Sequence, residues 1–148
     1  MRKNPVPLDC RWSLFGSERR FELGRALDCS ARDIYALAEE GARRHQFIGR
    51  WECDLTNDAL TWCDGVYDIF GFSRSSRPAR ETAVALYGEQ SRVIMERLRA
   101  DAIRENHGFV LDAQITPNYG GRRWMRLIGA PIVEEGRVVR LFGLKQVF

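Results

Sequence analysis

Apolar and polar residues alternate from Phe109 to Phe148, and two short breaks divide this stretch into three strand-like runs. In the first, Phe109, Leu111, Ala113 and Ile115 share one face at period two, while Asp112, Gln114 and Thr116 share the other. Pro117-Asn118-Tyr119-Gly120-Gly121 ends the run, because paired glycines supply the positive φ angles of a hairpin. The second run, Arg122–Val133, sets Trp124, Ile128 and Ile132 against Met125, Leu127 and Val133. Glu134-Glu135-Gly136 turns the chain into the third, Arg137–Phe148, where Val139, Leu141 and Val147 alternate with Val138, Phe142 and Leu144. Strands joined this closely are antiparallel neighbours, since a parallel pair needs a long crossover. Apolar residues on both faces imply that each face is covered over part of its area. The domain's own helices are expected on one side, and an N-terminal segment or a second subunit on the other.

Upstream the period changes. Residues 31–46 read as a helix with Ser30 as N-cap, Asp33 completing a capping box, and i,i+4 pairs from Glu39 to Arg43 and Glu40 to Arg44. Its narrow apolar stripe is Ile34, Leu37, Ala38 and Gly41, suited to packing on a sheet or a symmetry mate. Phe47–Leu55 and Ala59–Cys63 read as two strands around a Thr56-Asn57-Asp58 turn. Asp64 is placed to cap a short helix carrying Val66, Ile69 and Phe70, stopped by Gly71. A loop over 73–80, a helical piece over 82–87 and a longer helix over 89–106 follow. Residues 1–29 hold Trp12, Leu14, Phe15, Phe21, Leu23 and Leu27, too many apolar groups for a free tail, and are expected to be partly ordered. The architecture is therefore α+β: a five-stranded antiparallel sheet with short helices on one face and an N-terminal amphipathic helix. A small cavity is expected between sheet and helices.

Composition narrows the function. At 148 residues, with 45% hydrophobic and 29% charged residues, the chain is an ordinary globular domain. No apolar run approaches the length of a membrane helix, and Pro5 and Pro7 stand where a leader would be apolar, so a cytoplasmic protein that does not engage membranes is expected. Cys10, Cys29, Cys53 and Cys63 lack metal or redox spacing and read as reduced thiols, and no metal site is expected. The net charge is +3, and Lys3 and Lys145 are the only lysines, so arginine carries nearly all the cationic charge. No basic block is interleaved with aromatics, which argues against a nucleic-acid surface.

Six segments follow one another along the chain: Gly49-Arg50-Trp51-Glu52-Cys53-Asp54-Leu55, Leu60-Thr61-Trp62, Tyr67-Asp68-Ile69-Phe70-Gly71-Phe72, the helix from Met95 to Gly108, Arg122-Arg123-Trp124-Met125-Arg126, and Gly136-Arg137-Val138-Val139-Arg140-Leu141-Phe142-Gly143. In this order and spacing they resemble the PAS sensor domains. The resemblance divides the chain into an extension over 1–30, a flanking helix over 31–47 and a PAS-like domain over 48–148. It implies a pocket for a small molecule or cofactor, or a dimerisation surface, with the flanking helix on the outer face of the sheet. The turn Asn118-Tyr119-Gly120-Gly121 departs from the family's Asp-Gly turn, and Gly88-Glu89-Gln90-Ser91 replaces its acidic segment. A haem-binding member needs a histidine inside the longer helix, whereas His107 stands at its end. The cysteine motif of the flavin photosensors is missing. Neither haem nor a flavin adduct is expected, and the cofactor is left unidentified. The chain stops at Phe148 without an effector, so its signal is expected to pass through association.

The leading expectation is a non-catalytic regulatory domain that forms a homodimer or binds a separate signalling protein, with Ile34, Leu37, Ala38, Gly41, Val139 and Leu141 as interface candidates. A small apolar ligand would meet Trp62, Tyr67, Phe70, Leu86, Ile94, Leu98, Leu111 and Phe142. Ligand sensing as the primary role is a second reading. A small enzyme using Asp112 or His107 as a base is a third, and anion or nucleic-acid binding through arginines a fourth.

Overall fold

The computed structural model describes residues 4–8, 20–44 and 47–148. The capping box forms as the sequence implies: the Ser30 hydroxyl accepts from the Asp33 N–H, the Asp33 carboxylate accepts from the Ser30 N–H, and α1 runs Ala31–Arg43. The helix ends three residues before the expected Gln46, with Arg44 in the C-cap position, and His45 and Gln46 lie outside the described residues. Strands β3 (Gly49–Asp54) and β4 (Ala59–Trp62) form the first hairpin. Cys63, not Asp64, occupies the N-cap of α2 (Asp64–Phe70): its N–H still bonds Arg50 O in the hairpin, and its extended backbone is already that of an N-cap. Next come α3 (Arg80–Val84), two residues earlier than expected, and α4 (Glu89–Glu105). The remaining strands are β5 (Gly108–Ile115), β6 (Arg123–Glu134) and β7 (Arg137–Val147), with Gly120 and Gly121 at φ +89° and +82° in the β5–β6 turn.

The sheet has seven strands rather than five. Val6–Pro7 and Arg25–Asp28, both within the extension, are two further strands, β1 and β2 in chain order. The order is β1-β2-β5-β6-β7-β3-β4. All neighbours are antiparallel except β1 and β2, which pair in parallel. β2 covers the edge of β5 that β6 leaves open, so its presence follows from an available partner more than from its own pattern.

Both faces of the sheet are buried, each under different elements. On the inner face Trp51, Cys53, Leu111, Ala113, Met125, Leu127 and Leu141 pack with Val66, Ile69 and Phe70 of α2 and Met95, Leu98 and Ala102 of α4. On the outer face Val110, Ile128, Ala130, Phe142 and Leu144 pack under Ile34 and Ala38 of α1 and under Phe21 and Leu27. Asp112 also points outward and is fully buried. Its carboxylate accepts from Arg126 Nε at 2.7 Å, from Arg126 Nη2 at 2.9 Å and from the Phe21 N–H at 2.9 Å. This charge-assisted clasp pins the N-terminal segment to the sheet.

Candidate ligand cavity

The pleat decides what lies beneath the helices. Residues paired across strands share a face, so Trp51 paired with Gly143, and Leu127 and Gly49 paired with Lys145, all belong to the inner side. Gly143 and Gly129 give the Trp51 indole room to lie flat across the sheet; a Cβ on Gly143 would stand 2.5 Å from Trp51 Cζ2 and 1.9 Å from Ile128 O. Above this floor is a cavity of about 50 Å³. Trp51, Trp62, Phe109 and Leu127 contribute from the sheet, Arg80 and Val84 from α3, Met95 and Arg99 from α4, and Tyr87 from the connection between those helices. The volume is small beside the roughly 300–1,000 Å³ of a drug-sized site, so it matches a compound of a few heavy atoms.

Lys145 reaches into this cavity and is only 7% exposed. Its Nζ donates to Tyr87 Oη at 3.3 Å. Four rings surround the ammonium, with centres at 4.5 Å (Phe70), 5.5 Å (Trp51), 5.7 Å (Tyr87) and 6.0 Å (Trp62). Their faces attract a cation, but they do not neutralise it. Among the described residues no carboxylate forms an ion pair with Lys145. Burial, reinforced by the nearby Arg80 charge, pulls its pKa down to about 7. Burial likewise raises the Tyr87 hydroxyl, and it raises the Cys53 thiol against the opposing pull of Arg99. The two arginines at the rim are themselves paired, Arg80 with Glu96 and Arg99 with Asp58 at 3.0 Å. The Trp51 indole N–H is buried and has no acceptor among the described residues.

Of the residues expected to line a pocket, Trp62 does so. Phe70 stacks on Trp62 with ring centres 5.2 Å apart and faces the lysine, and Tyr67 meets Trp62 edge-on at 5.1 Å while donating to Ser76 O. Ile94, Leu98 and Leu111 are inner-face core, and Leu86 packs against them. Phe142 lies on the opposite face, stacked on Tyr35 of α1 at 4.2 Å. Leu141, taken as an interface residue, belongs instead to the inner core. The alternation along β7 is as read, but alternation alone does not say which side the helices take. Ile34, Ala38 and Gly41 are buried and Leu37 partly so, with Ile34, Leu37 and Ala38 in the outer-face core. Val139 is half-buried, and its carbonyl accepts from the Leu55 N–H.

Asp112 is engaged in the clasp, and His107 Nδ1 stands 2.8 Å from Gly108 O, away from the cavity. Cys29, Cys53 and Cys63 are free thiols, and no three metal-ligating side chains gather among the described residues. No helix among them is long and apolar enough to cross a membrane. Sequence reasoning missed Lys145 as a site residue. The available signal was a lone lysine at the same parity as Leu141 and Val147, following the apolar run Leu141-Phe142-Gly143-Leu144.

The fold is PAS-like. It is similar to a domain from Haloarcula marismortui described as belonging to a light- and redox-sensing histidine kinase, at TM-score 0.63 and 16% identity over 75% of this chain and 97% of that one. It is similar to the N-terminal domain of a diguanylate cyclase with a PAS/PAC sensor from Marinobacter aquaeolei, at TM-score 0.62 and 13% identity, covering 68% of this chain and 94% of that one. An RNA-binding light-oxygen-voltage receptor aligns at TM-score 0.60 and 13% identity over 68% of this chain, which spans only 29% of that receptor. No protein-family model matches the sequence, and none of the curated proteins does.

Proposed function

We propose that this is a non-catalytic sensory domain whose input is occupancy of the cavity beneath the sheet. Its output is a change in how α1 and the N-terminal segment sit on the opposite face, read by a second copy or by a separate signalling protein. The observation that carries this reading is Lys145: a buried amine, with no carboxylate paired to it among the described residues, facing a largely apolar cavity. Leaving such a charge in place costs free energy that a purely structural core avoids with a methionine or leucine. The path outward is short. Lys145 points inward, while the next residue on β7, Gln146, points outward and donates to Phe47 O at 3.1 Å in the connection between α1 and β3. A shift of β7 at the cavity therefore bears on the end of α1. The sensor kinase and cyclase contexts of the structural neighbours accord with such a role.

The test needs no knowledge of the ligand. Ala83 lines the cavity and is buried, so Ala83→Leu fills it permanently. With near-UV circular dichroism confirming a native fold, hydrogen exchange across Ala31–Arg43 and the sedimentation coefficient are expected to differ from wild type. Identical exchange and identical sedimentation would remove the reading.

A further inference from the structure

Three cations line the cavity, Lys145, Arg80 and Arg99, and two carboxylates pair with them, Glu96 and Asp58. One positive charge is left over, and it is the most deeply buried of the three. Around it stand donors rather than acceptors. Among the described residues the Lys145 ammonium, with three N–H bonds, has only the Tyr87 hydroxyl in reach, and the Trp51 indole N–H has no partner. The remaining wall, Trp62, Phe109, Met95, Val84 and Leu127, is apolar. A long lysine at a surface carries its ammonium out to water; here the side chain turns inward beneath four rings.

We propose that the cavity, read as the sensing site argued above, receives a small monocarboxylate whose carboxylate meets Lys145 Nζ and whose apolar body lies among Trp62, Phe109 and Leu127. One negative charge balances the leftover positive one. Its oxygens accept from the ammonium, an exchange stronger than a neutral hydrogen bond. The cavity of about 50 Å³ limits the body to a few heavy atoms. Dianions such as phosphate are disfavoured, because they place a second charge against apolar walls. Binding is coupled to protonation. Tyr87 and Cys53 are both shifted upward by burial, so among amine, phenol and thiol it is Lys145 that changes charge near neutrality. Arg80 and Arg99 are engaged with Glu96 and Asp58.

The experiment follows the intrinsic tryptophan fluorescence of the full chain, to which Trp51 and Trp62 of the cavity wall contribute, during titration with acetate, propionate and butyrate, at constant ionic strength set with sodium chloride. Propionamide and inorganic phosphate serve as controls. At least one carboxylate is expected to saturate below about 50 mM, to bind about tenfold or more tightly at about pH 6 than at about pH 8.5, and to outbind its controls by a similar factor. Lys145→Met, whose fold is checked by circular dichroism, is expected to lose about tenfold or more of that affinity. Equal affinity in Lys145→Met, equal affinity for propionamide, or no saturation by any carboxylate would each overturn the proposal. Failure here with altered α1 exchange in Ala83→Leu leaves the sensory reading standing for an uncharged ligand. The reverse pattern leaves a binding site without a sensor.

Discussion

The ammonium of Lys145 lies 4.5 Å from the centre of the Phe70 ring, sealed between β7 and α2. A cation held against an aromatic face gains about 0.5–2 kcal/mol, less than the several kcal/mol lost when an ion leaves water without a partner. The balance is unfavourable to folding, and it makes the lysine a stability liability as well as a binding group.

That liability has a pH signature. The folded-state pKa of Lys145 is about 7, below its ordinary value of 10.5. Between these values the unfolded chain binds more protons than the folded one, so stability rises with pH. The increment is at most about 1.4 kcal/mol per pH unit, or roughly 2 kcal/mol between about pH 7 and 9. Above that range Cys29 opposes it, because burial raises its thiol to about 12 and thiolate formation favours the unfolded chain. Urea unfolding of wild type and Lys145→Met at a series of pH values checks this. The variant is expected to be the more stable at about pH 7, with the difference shrinking toward about pH 9.

Asp112 and Arg126 make the opposite kind of buried charge, one that is fully bonded. Asp112→Ala removes a carboxylate bonded to Arg126 and an acceptor for the Phe21 N–H. The expected loss is about 3–5 kcal/mol, with increased hydrogen exchange in β2. Denaturant unfolding with exchange mass spectrometry measures both.

Gly143 tests the floor of the cavity. An added Cβ meets the backbone oxygen of Ile128 as well as the Trp51 ring, and the backbone cannot step aside as a side-chain tip can. Gly143→Ala is expected to destabilise by at least about 2 kcal/mol and, through Trp51, to change the intrinsic tryptophan emission. Gly136→Ala is a poor control, since its φ is +75°. Thr61→Ala on exposed β4 is a better one, with an expected change within about 0.5 kcal/mol.

Much of the fold was legible because its signals were local. The Ser30–Asp33 box marked the start of α1, and the long alternating runs marked β5, β6 and β7. The two extension strands were not legible. Val6–Pro7 is too short to show a period, and Arg25–Asp28 is a strand because β5 offers it an edge. The cavity was legible only in outline. Trp62 was found, but Trp51, Tyr87, Phe109 and Leu127 enter its wall through cross-strand pairing and helix placement, which no local pattern encodes. Phe142 and Leu141 exchanged faces for the same reason: period two assigns partners to a side without saying which side is covered by what. Lysine in a strand ordinarily reads as solvent-facing, and only the pairing of Lys145 with Gly49 and Leu127 turns it indoors.

The most direct test of this account is the titration of the Lys145 side-chain nitrogen by NMR, assigned by comparison with Lys145→Met. A midpoint near 7 is predicted, moving upward when a carboxylate occupies the cavity. A midpoint near the ordinary 10.5 would contradict it, because the amine would then be in water and the aromatic cavity would not be closed around it.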